Sequence, residues 1–279
     1  MRKRVISFLK RIELAIRAIL CYALPYRLLR CFMRDIELEA SILHPETFGY
    51  FKDRYRGKKL VIVAAGPTAK NYTPIEDAIH IGINRAFLFD KVKFDILVSS
   101  DYRGIEPVSE EFLFYEEDTC IKFIDGSTIK AADFPSDYRN RIKHLRAYVK
   151  VGSPALKNMK IRKEIDKYPL WSGFTSAIQA MQIALWTNPK QVYLVGCDCS
   201  VGIKYEKPLH FVEVKKDNTV ERTDENKKFA LNYGDREEML IFAWERMKFF
   251  AKEHYPETEI ISINPVGLKG LFRDEIFLN

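Results

Sequence analysis

Glycines, amides and carboxylates follow the predicted strands in the first half of the chain, where they could bind or activate a ligand. Gly66, Pro67 and Thr68 come directly after the first apolar run, Asn84 ends the second, and Asp101 follows the third. Open α/β sheets bind ligands at this end of their strands, where a glycine turn can bring backbone N–H groups close to a phosphate. We therefore predict nucleotide binding by the first four residues and a general-base role for Asp101. Taken singly, each residue is also typical of a turn or a helix cap.

A second cluster of candidate residues lies in the C-terminal half. Ser172 and Gly173 precede an uncharged helical stretch, and the positive end of a helix dipole favours an anion. Asp198 follows another apolar run, so it should reach the same edge of the sheet as the first cluster. His210 lies beyond it and is the histidine best placed to act as a base in the cleft, with a structural histidine as the alternative. No histidine or cysteine has metal-ligand spacing, so no metal site is predicted.

Short apolar runs alternate with helical patterns in the body of the chain, which is typical of βαβ units. Seven strands are predicted, at 60–65, 80–84, 95–100, 120–124, 145–149, 191–195 and 259–263. Two helices are predicted at 173–186 and 235–254, the second with Asp235 as its N-cap and Glu238 three residues on. The sequence therefore predicts an α/β, Rossmann-like fold with a mostly parallel, doubly wound sheet. The polar stretch 200–232 is interpreted as a lid or excursion, with a solvated loop as the alternative.

The net charge of +7 over 279 residues is concentrated at the N-terminus. Residues 1–34 hold nine basic residues and one acid, a charge of +8, which leaves −1 on the remaining 245 residues. Apolar residues between positions 5 and 20 share one side of a helical wheel, which predicts a basic amphipathic arm at an anionic membrane surface. Its longest uncharged run is shorter than the roughly 20 apolar residues that a membrane crossing needs. The alternative is packing on the body or on a second subunit of a homo-oligomer. The rest of the sequence has no second basic patch, so nucleic acid is not a predicted partner.

The change in charge and pattern divides the chain near residue 56. We predict a basic amphipathic helical arm and linker over 1–56, and a Rossmann-like nucleotide-binding catalytic domain over 57–279 that includes the excursion at about 200–232. Five cysteines without a Cys-x-x-Cys pair fit reduced thiols in the cytoplasm. Together with the arm, this predicts a cytoplasmic protein that is peripheral at the inner face of the plasma membrane.

The order of these motifs resembles that of the family 42 bacterial sialyltransferases and of the related 6-hydroxymethylpterin pyrophosphokinase-like (MptE-like) domain of unknown function. The shared features are Gly-Pro-Thr after the first strand, Asn after the second, Ser-Gly before a buried helix and Gly-x-Asp after a later strand. The resemblance implies a nucleotide-binding set, namely Gly66, Pro67 and Thr68 at the phosphate and ribose, Asn84 at the nucleotide or its sugar, Ser172 and Gly173 at the cytidine phosphate, and Asp198 closing the pocket. Asn232 to Asp235 stand where the sialyltransferases carry their catalytic histidine, and Ala65 replaces their first-loop asparagine. His210 fits the pterin-kinase-like branch better.

The residues and the resemblance together predict a glycosyltransferase that uses a nucleotide-sugar donor, with a CMP-sugar favoured. The acceptor would be a cell-surface polysaccharide or a lipid-linked glycan. His210 or Asp101 would be the base, and N–H groups around Gly66 and Ser172 would stabilise the leaving phosphate. No cofactor is expected beyond the nucleotide-sugar co-substrate. Two alternatives stay open: an MptE-like pyrophosphokinase that uses ATP and Mg²⁺, held by Asp101 and Asp198, on a small alcohol, and a non-catalytic nucleotide-sugar-binding component of a glycan assembly complex.

Overall fold

An eight-stranded parallel sheet forms the centre of the computed structural model of the protein, which describes residues 26–100, 105, 109–129, 142–151, 159–199 and 233–277. The strands are β1 (Lys59–Val63), β2 (Ala78–Ile83), β3 (Ile96–Ser99), β4 (Ile121–Asp125), β5 (Leu145–Tyr148), β6 (Lys150–Val151), β7 (Leu170–Trp171), β8 (Gln191–Val195), β9 (Glu259–Ile263) and β10 (Arg273–Glu275). β6 and β7 pair with each other outside the main sheet. The α/β Rossmann-like class and all seven predicted strands are confirmed, whereas β6, β7 and β10 were not predicted.

The strand order reverses between β1 and β8. The main sheet has the order β10-β9-β8-β1-β2-β3-β4-β5, so the chain moves outward from β1 to β5 and later returns to the other side of β1. Val63 lies opposite Gly82 of β2 and opposite Val195 of β8. A crevice opens at the carboxyl ends of two strands whose connections leave in opposite directions, and ligands of open α/β sheets bind there. The fold therefore places the loops after β1 and β8 side by side.

Helices pack on the sheet, and its central strands are buried. The α-helices in the described ranges are α1 (Tyr26–Phe48), α2 (Ser109–Phe114), α3 (Gly126–Ile129), α4 (Ser176–Trp186) and α5 (Tyr233–His254). α4 packs on β1, β2 and β3, and all of its residues are buried, which accounts for its lack of charge. Leu60 and Val61 of β1 belong to the cores on opposite faces of the sheet. α5 begins at Tyr233, so Asp235 lies inside its first turn and is not its N-cap.

The first helix is fastened to the body by a buried histidine. α1 packs against the edge strand β5, and His44 is fully buried. Its Nε2 accepts from the N–H of Val149 at 2.8 Å, so the ring proton is on Nδ1, which donates to the carbonyl oxygens of Ile165 at 2.7 Å and Tyr168 at 2.9 Å. Burial lowers the pKa of His44 to about 4. The neutral ring therefore joins α1, β5 and the segment before β7 at neutral pH.

The residues that follow the basic arm contribute to the core. Met33, Phe48 and Phe51, which the sequence places in the arm and linker, are all buried. Residues 1–25, which carry most of the arm, lie outside the described residues, and the division of the chain near residue 56 stays a prediction. Within the described ranges, no helix combines the length and the apolar character needed to cross a membrane.

Candidate functional site

The loops after β1 and β8 touch at two glycines. The N–H of Gly66 donates to the carbonyl oxygen of Gly196 at 3.0 Å, and the N–H of Ala64 donates to that of Val195 at 2.8 Å. A Cβ on Gly66 would overlap the carbonyl oxygen of Gly196 and lie 2.5 Å from Oδ2 of Asp198. A Cβ on Gly196, whose φ is 65°, would overlap the carbonyl oxygen of Ala64. Glycine is therefore required at both positions because the two loops approach each other so closely.

Asp198 joins the same two loops through its side chain. It is 7% exposed, and its carboxylate accepts from the N–H of Thr68 at 3.0 Å and from Oγ1 of Thr68 at 2.5 Å. Burial raises the pKa of Asp198, and the two hydrogen bonds from Thr68 oppose that shift. Pro67 begins the short helix Pro67–Asn71, where its fixed φ suits the first turn. Asp198 thus holds the β1 loop in place.

Three backbone N–H groups at the start of the Pro67–Asn71 helix already have acceptors within the protein. Gly66 donates to Gly196, Thr68 donates to Asp198, and Ala69 donates to the carbonyl oxygen of Gly66 at 3.0 Å. Proline has no N–H to offer. These three N–H groups are therefore engaged within the protein, and the contact of this loop with a nucleotide stays a prediction.

Asn84 leaves β2 at the same edge in a strained conformation. It begins the short helix Asn84–Leu88 with a φ of 51°, a left-handed conformation that L-residues other than asparagine and aspartate rarely adopt. Its Oδ1 is buried and has no hydrogen-bond partner among the residues that the structure describes. Strain and an unsatisfied amide oxygen together are typical of a ligand-binding position.

The segment between β7 and α4 forms a tight turn. Gly173 and Phe174 have φ values of 50° and 64°, and the N–H of Thr175 donates to the carbonyl oxygen of Ser172 at 3.2 Å, as in a type I′ turn. A Cβ on Gly173 would lie 2.5 Å from Cγ2 of Ile178, so packing also requires glycine there. The side chain of Thr175 caps α4. The turn sets the direction in which α4 starts.

A pair of serines brings the two predicted clusters together. Oγ of Ser176, in the first turn of α4, lies 2.7 Å from Oγ of Ser100, which follows β3. The hydroxyl of Tyr148 donates to the carbonyl oxygen of Ser99 and to Oε1 of Gln179, at 3.3 Å each. These contacts fix the N-terminus of α4 at the carboxyl end of β3. Its positive dipole end therefore lies at the edge of the sheet that carries the β1 and β2 loops.

Asp125 and Lys150 form an ion pair that the sequence did not predict. Asp125 ends β4, is 2% exposed, and lies 3.4 Å from Nζ of Lys150. Lys150 also donates to the carbonyl oxygen of Ser100, and the hydroxyl of Ser127 donates to Asp125. Burial raises the pKa of Asp125, and the charge of Lys150 opposes that shift. The strand-end rule that found Asp198 could have found Asp125, but no sequence signal pairs it with Lys150.

The two predicted catalytic residues, His210 and Asp101, lie outside the residues that the structure describes, and so does the excursion 200–232. Their roles stay predictions. Within the described part of the chain, no group of three or more histidine, cysteine or acidic side chains is arranged to hold a metal ion.

Comparison with known proteins yields structural neighbours only. No family model and no curated protein matches the sequence. One similar solved structure is the MAf glycosyltransferase from Magnetospirillum magneticum AMB-1, with a TM-score of 0.45 and 13% identity over 86% of this chain and 37% of that one. Another is the sialyltransferase CstII from Campylobacter jejuni in complex with the substrate analogue CMP-3FNeuAc, with a TM-score of 0.39 and 15% identity over 80% of this chain and 86% of that one. Both neighbours are glycosyltransferases, and the chain spans little more than a third of the first one.

Proposed function

We propose that the protein is a glycosyltransferase that moves a sugar from a nucleotide-sugar donor, preferably a CMP-sugar, to a cell-surface polysaccharide or a lipid-linked glycan. The observation that carries the proposal is a row of polar groups at the carboxyl edge of the sheet, from β8 to β4. Neighbouring strands lie ~4.8 Å apart, so five strand ends make a row of roughly 19 Å. A donor with a base, a ribose, a phosphate and a sugar can use such a row, whereas a lone phosphate would use one or two strand ends.

The N-terminus of α4 is the position that suits the donor phosphate. The helix has eleven residues, and the contact between Ser100 and Ser176 holds its first turn at the end of β3. The helix dipole would stabilise the charge that develops on the leaving phosphate. Ser172 and Gly173 form the turn directly before this end, which supports their role at the cytidine phosphate.

The β1 and β2 loops would hold the nucleoside part of the donor. Asp198 fixes the β1 loop through Thr68, so Gly66 and Pro67 would line the ribose from a rigid position. Asn84 would contact the nucleotide or its sugar through its unsatisfied amide oxygen. In the transfer itself, His210 or Asp101 would take the proton of the acceptor hydroxyl. Asp101 is the next residue in the chain after Ser100, which itself follows β3.

The Mg²⁺-dependent pyrophosphokinase that the sequence left open stays the first alternative, with Asp198 as one of its two expected metal ligands. Both carboxylate oxygens of Asp198 accept hydrogen bonds from Thr68, at 3.0 Å and 2.5 Å. Each oxygen keeps a second lone pair, so these bonds are compatible with either function, and the titration with nucleotide sugars and with ATP plus Mg²⁺ distinguishes the two. The other alternative, a non-catalytic binding component, differs from an enzyme only in turnover.

We place the enzyme at the inner face of the plasma membrane as a peripheral protein. The support is the charge of +8 on residues 1–34, which would attract the arm to anionic lipids. Lipid-linked acceptors would be close to an enzyme held in this way.

Thermal-shift titration of the full chain tests the donor class. CMP-, UDP- and GDP-sugars are compared with ATP plus Mg²⁺. A ligand at 100 times its Kd stabilises the fold by about 2.7 kcal/mol, which raises the Tm of a protein of this size by about 5–10 °C. We expect this shift with a CMP-sugar, and a shift with ATP and Mg²⁺ alone would contradict the proposal. Release of CMP in the presence of a glycan acceptor, followed by mass spectrometry, then separates an enzyme from a binding component.

A further inference from the structure

Two buried polar atoms on adjacent residues lack hydrogen-bond partners. Nε of Arg85 and Oδ1 of Asn84 are both buried, and neither has a partner among the residues that the structure describes. The two residues begin the short helix that follows β2. Buried polar groups in folded proteins are nearly always satisfied, so each exception needs an explanation. A ligand that supplies both missing partners would explain this pair.

The charge of Arg85 also lacks compensation. Arg85 is partly buried, burial lowers the pKa of its guanidinium, and no acidic side chain in the described ranges raises it again. Lys150, another cation at this edge, is held by Asp125 and by the carbonyl oxygen of Ser100. A cation that is partly removed from water gains from a paired anion, and its buried Nε needs an acceptor. The described part of the chain supplies that anion for Lys150 and not for Arg85.

The neighbouring β1 loop offers few donors to an anion. The N–H groups of Gly66, Thr68 and Ala69 are bonded within the protein, and Pro67 has none. A guanidinium has donors in a planar fork that match the oxygens of a phosphate or a carboxylate. An oxyanion bound at the end of β2 would therefore depend on Arg85.

We infer that Arg85 binds an oxyanion of the donor and that Asn84 accepts a hydrogen bond from a hydroxyl or amino group beside that oxyanion. The inference rests on the proposed function, because the nucleotide sugar is taken as the ligand. Two parts of such a donor carry this chemistry, the phosphate of the nucleotide and the carboxylate of an acidic sugar. The choice of ligands in the test separates them.

Isothermal titration of the full chain with cytidine, CMP, inorganic pyrophosphate, a CMP-linked acidic sugar and its methyl ester tests the inference. The variants are Arg85→Gln and Arg85→Lys. The control is Arg56→Gln, which removes the same charge from an exposed side chain near the amino end of β1. If the phosphate is the target, Arg85→Gln should weaken CMP binding about 10- to 100-fold and leave cytidine binding unchanged. If the carboxylate is the target, only the acidic sugar should lose affinity, and its methyl ester should bind both proteins equally.

The remaining readouts separate ligand binding from a structural role. If Arg85 has a structural role, Arg85→Gln should weaken the binding of cytidine and of CMP equally and lower the Tm. If Arg85 binds the ligand, the variant loses only an unpaired charge, and the Tm should stay unchanged or rise. Arg85→Lys keeps the charge but loses the fork, so its affinity should be intermediate. Wild-type affinity of Arg85→Gln for CMP and for the acidic donor would overturn the inference and leave the proposed function standing. Binding of pyrophosphate alone, lost in Arg85→Gln, would support the oxyanion site and reject the proposed donor. If none of the ligands binds, both the inference about Arg85 and the proposed function are wrong.

Discussion

Replacement of Gly66 by alanine tests the close contact between the β1 and β8 loops. The new Cβ would overlap the carbonyl oxygen of Gly196 and lie 2.5 Å from Oδ2 and 2.8 Å from Cγ of Asp198. Neither neighbour can move freely, because Gly196 accepts a hydrogen bond from Gly66 itself and Asp198 accepts two from Thr68. The φ of Gly66 is −66°, which alanine adopts without strain, so the whole penalty is steric.

We expect Gly66→Ala to lower the free energy of unfolding by about 3 kcal/mol. Overpacking a closed contact costs about 1–3 kcal/mol, and a hydrogen bond to a charged group, such as those that hold Asp198, contributes about 1.5–3 kcal/mol. Gly→Ala changes also stabilise a protein by about 0.4–1 kcal/mol through the unfolded chain. Urea unfolding followed by circular dichroism measures the difference. The matched control is Gly49→Ala, since a Cβ on Gly49 would meet no heavy atom within 4 Å.

Two outcomes would refute this reasoning. If Gly66→Ala and Gly49→Ala unfold at the same urea concentration with equal m values, the loops do not constrain residue 66. The second test is a double-mutant cycle with Thr68→Val, which removes one of the bonds to Asp198. Because Gly66→Ala should already displace that carboxylate, the two costs should not add, and additive costs would break the link between glycine and Asp198.

Three further predictions concern other parts of the molecule. The free energy of unfolding should fall by about 3 kcal/mol as the pH drops from 6.5 to 4, because His44 becomes protonated in the unfolded chain but stays neutral in the fold, where burial lowers its pKa to about 4. In urea unfolding, His44→Gln should remove this part of the pH dependence. An unchanged pH dependence in the variant would contradict the assignment. Asn84→Ala should weaken CMP-sugar binding about tenfold or more in isothermal titration. The control is Asn188→Ala, at another left-handed residue, with a φ of 58°, near the amino end of β8; it should leave CMP-sugar binding unchanged. Equal losses of affinity in the two variants would mean that backbone strain, and not the lost amide of Asn84, lowers the affinity. Deletion of residues 1–25 should abolish co-sedimentation with anionic liposomes and leave the Tm unchanged, because buried Met33 is retained; equal sedimentation would remove the membrane argument.

The strands could be predicted wherever burial on both faces demands a continuous apolar run. β10 consists of Arg273, Asp274 and Glu275 at the edge of the sheet, and such residues carry no apolar signal. The prediction of a helical arm and linker over 1–56 did not identify the core residues of α1, for a different reason. Its buried face includes His44 and Thr47, and each of them bonds to a carbonyl oxygen at least 100 residues further along the chain. A sequence pattern predicts such polar residues to be exposed, because their hydrogen-bond partners are brought close only by the fold.

The edge of the sheet that carries the candidate site was predictable, but the partners of its residues were not. The strand-end rule pointed to Thr68 and to Asp198 separately. Their hydrogen bond spans 130 residues and depends on the reversal of strand order between β1 and β8. Gly66 was predicted from the needs of a phosphate, whereas the structure requires glycine there for the approach of Gly196 and Asp198. The structure thus gives Gly66 a packing role, and its contact with a nucleotide stays a prediction.

The polar groups at the carboxyl edge fall into two sets according to whether the protein itself satisfies them. Bonded pairs lie at the ends of β1 and β8, where Asp198 holds Thr68, and of β4, where Asp125 holds Lys150.

The end of β2 lies between these pairs in the sheet, and there Asn84 and Arg85 each keep a buried atom without a partner among the described residues. Bonded neighbours on both sides can hold the free groups in a fixed geometry, which is the arrangement that a preorganised site needs. Substitutions in the bonded pairs should therefore lower both the Tm and the affinity for the donor, whereas Asn84→Gly and Arg85→Gln should lower the affinity alone.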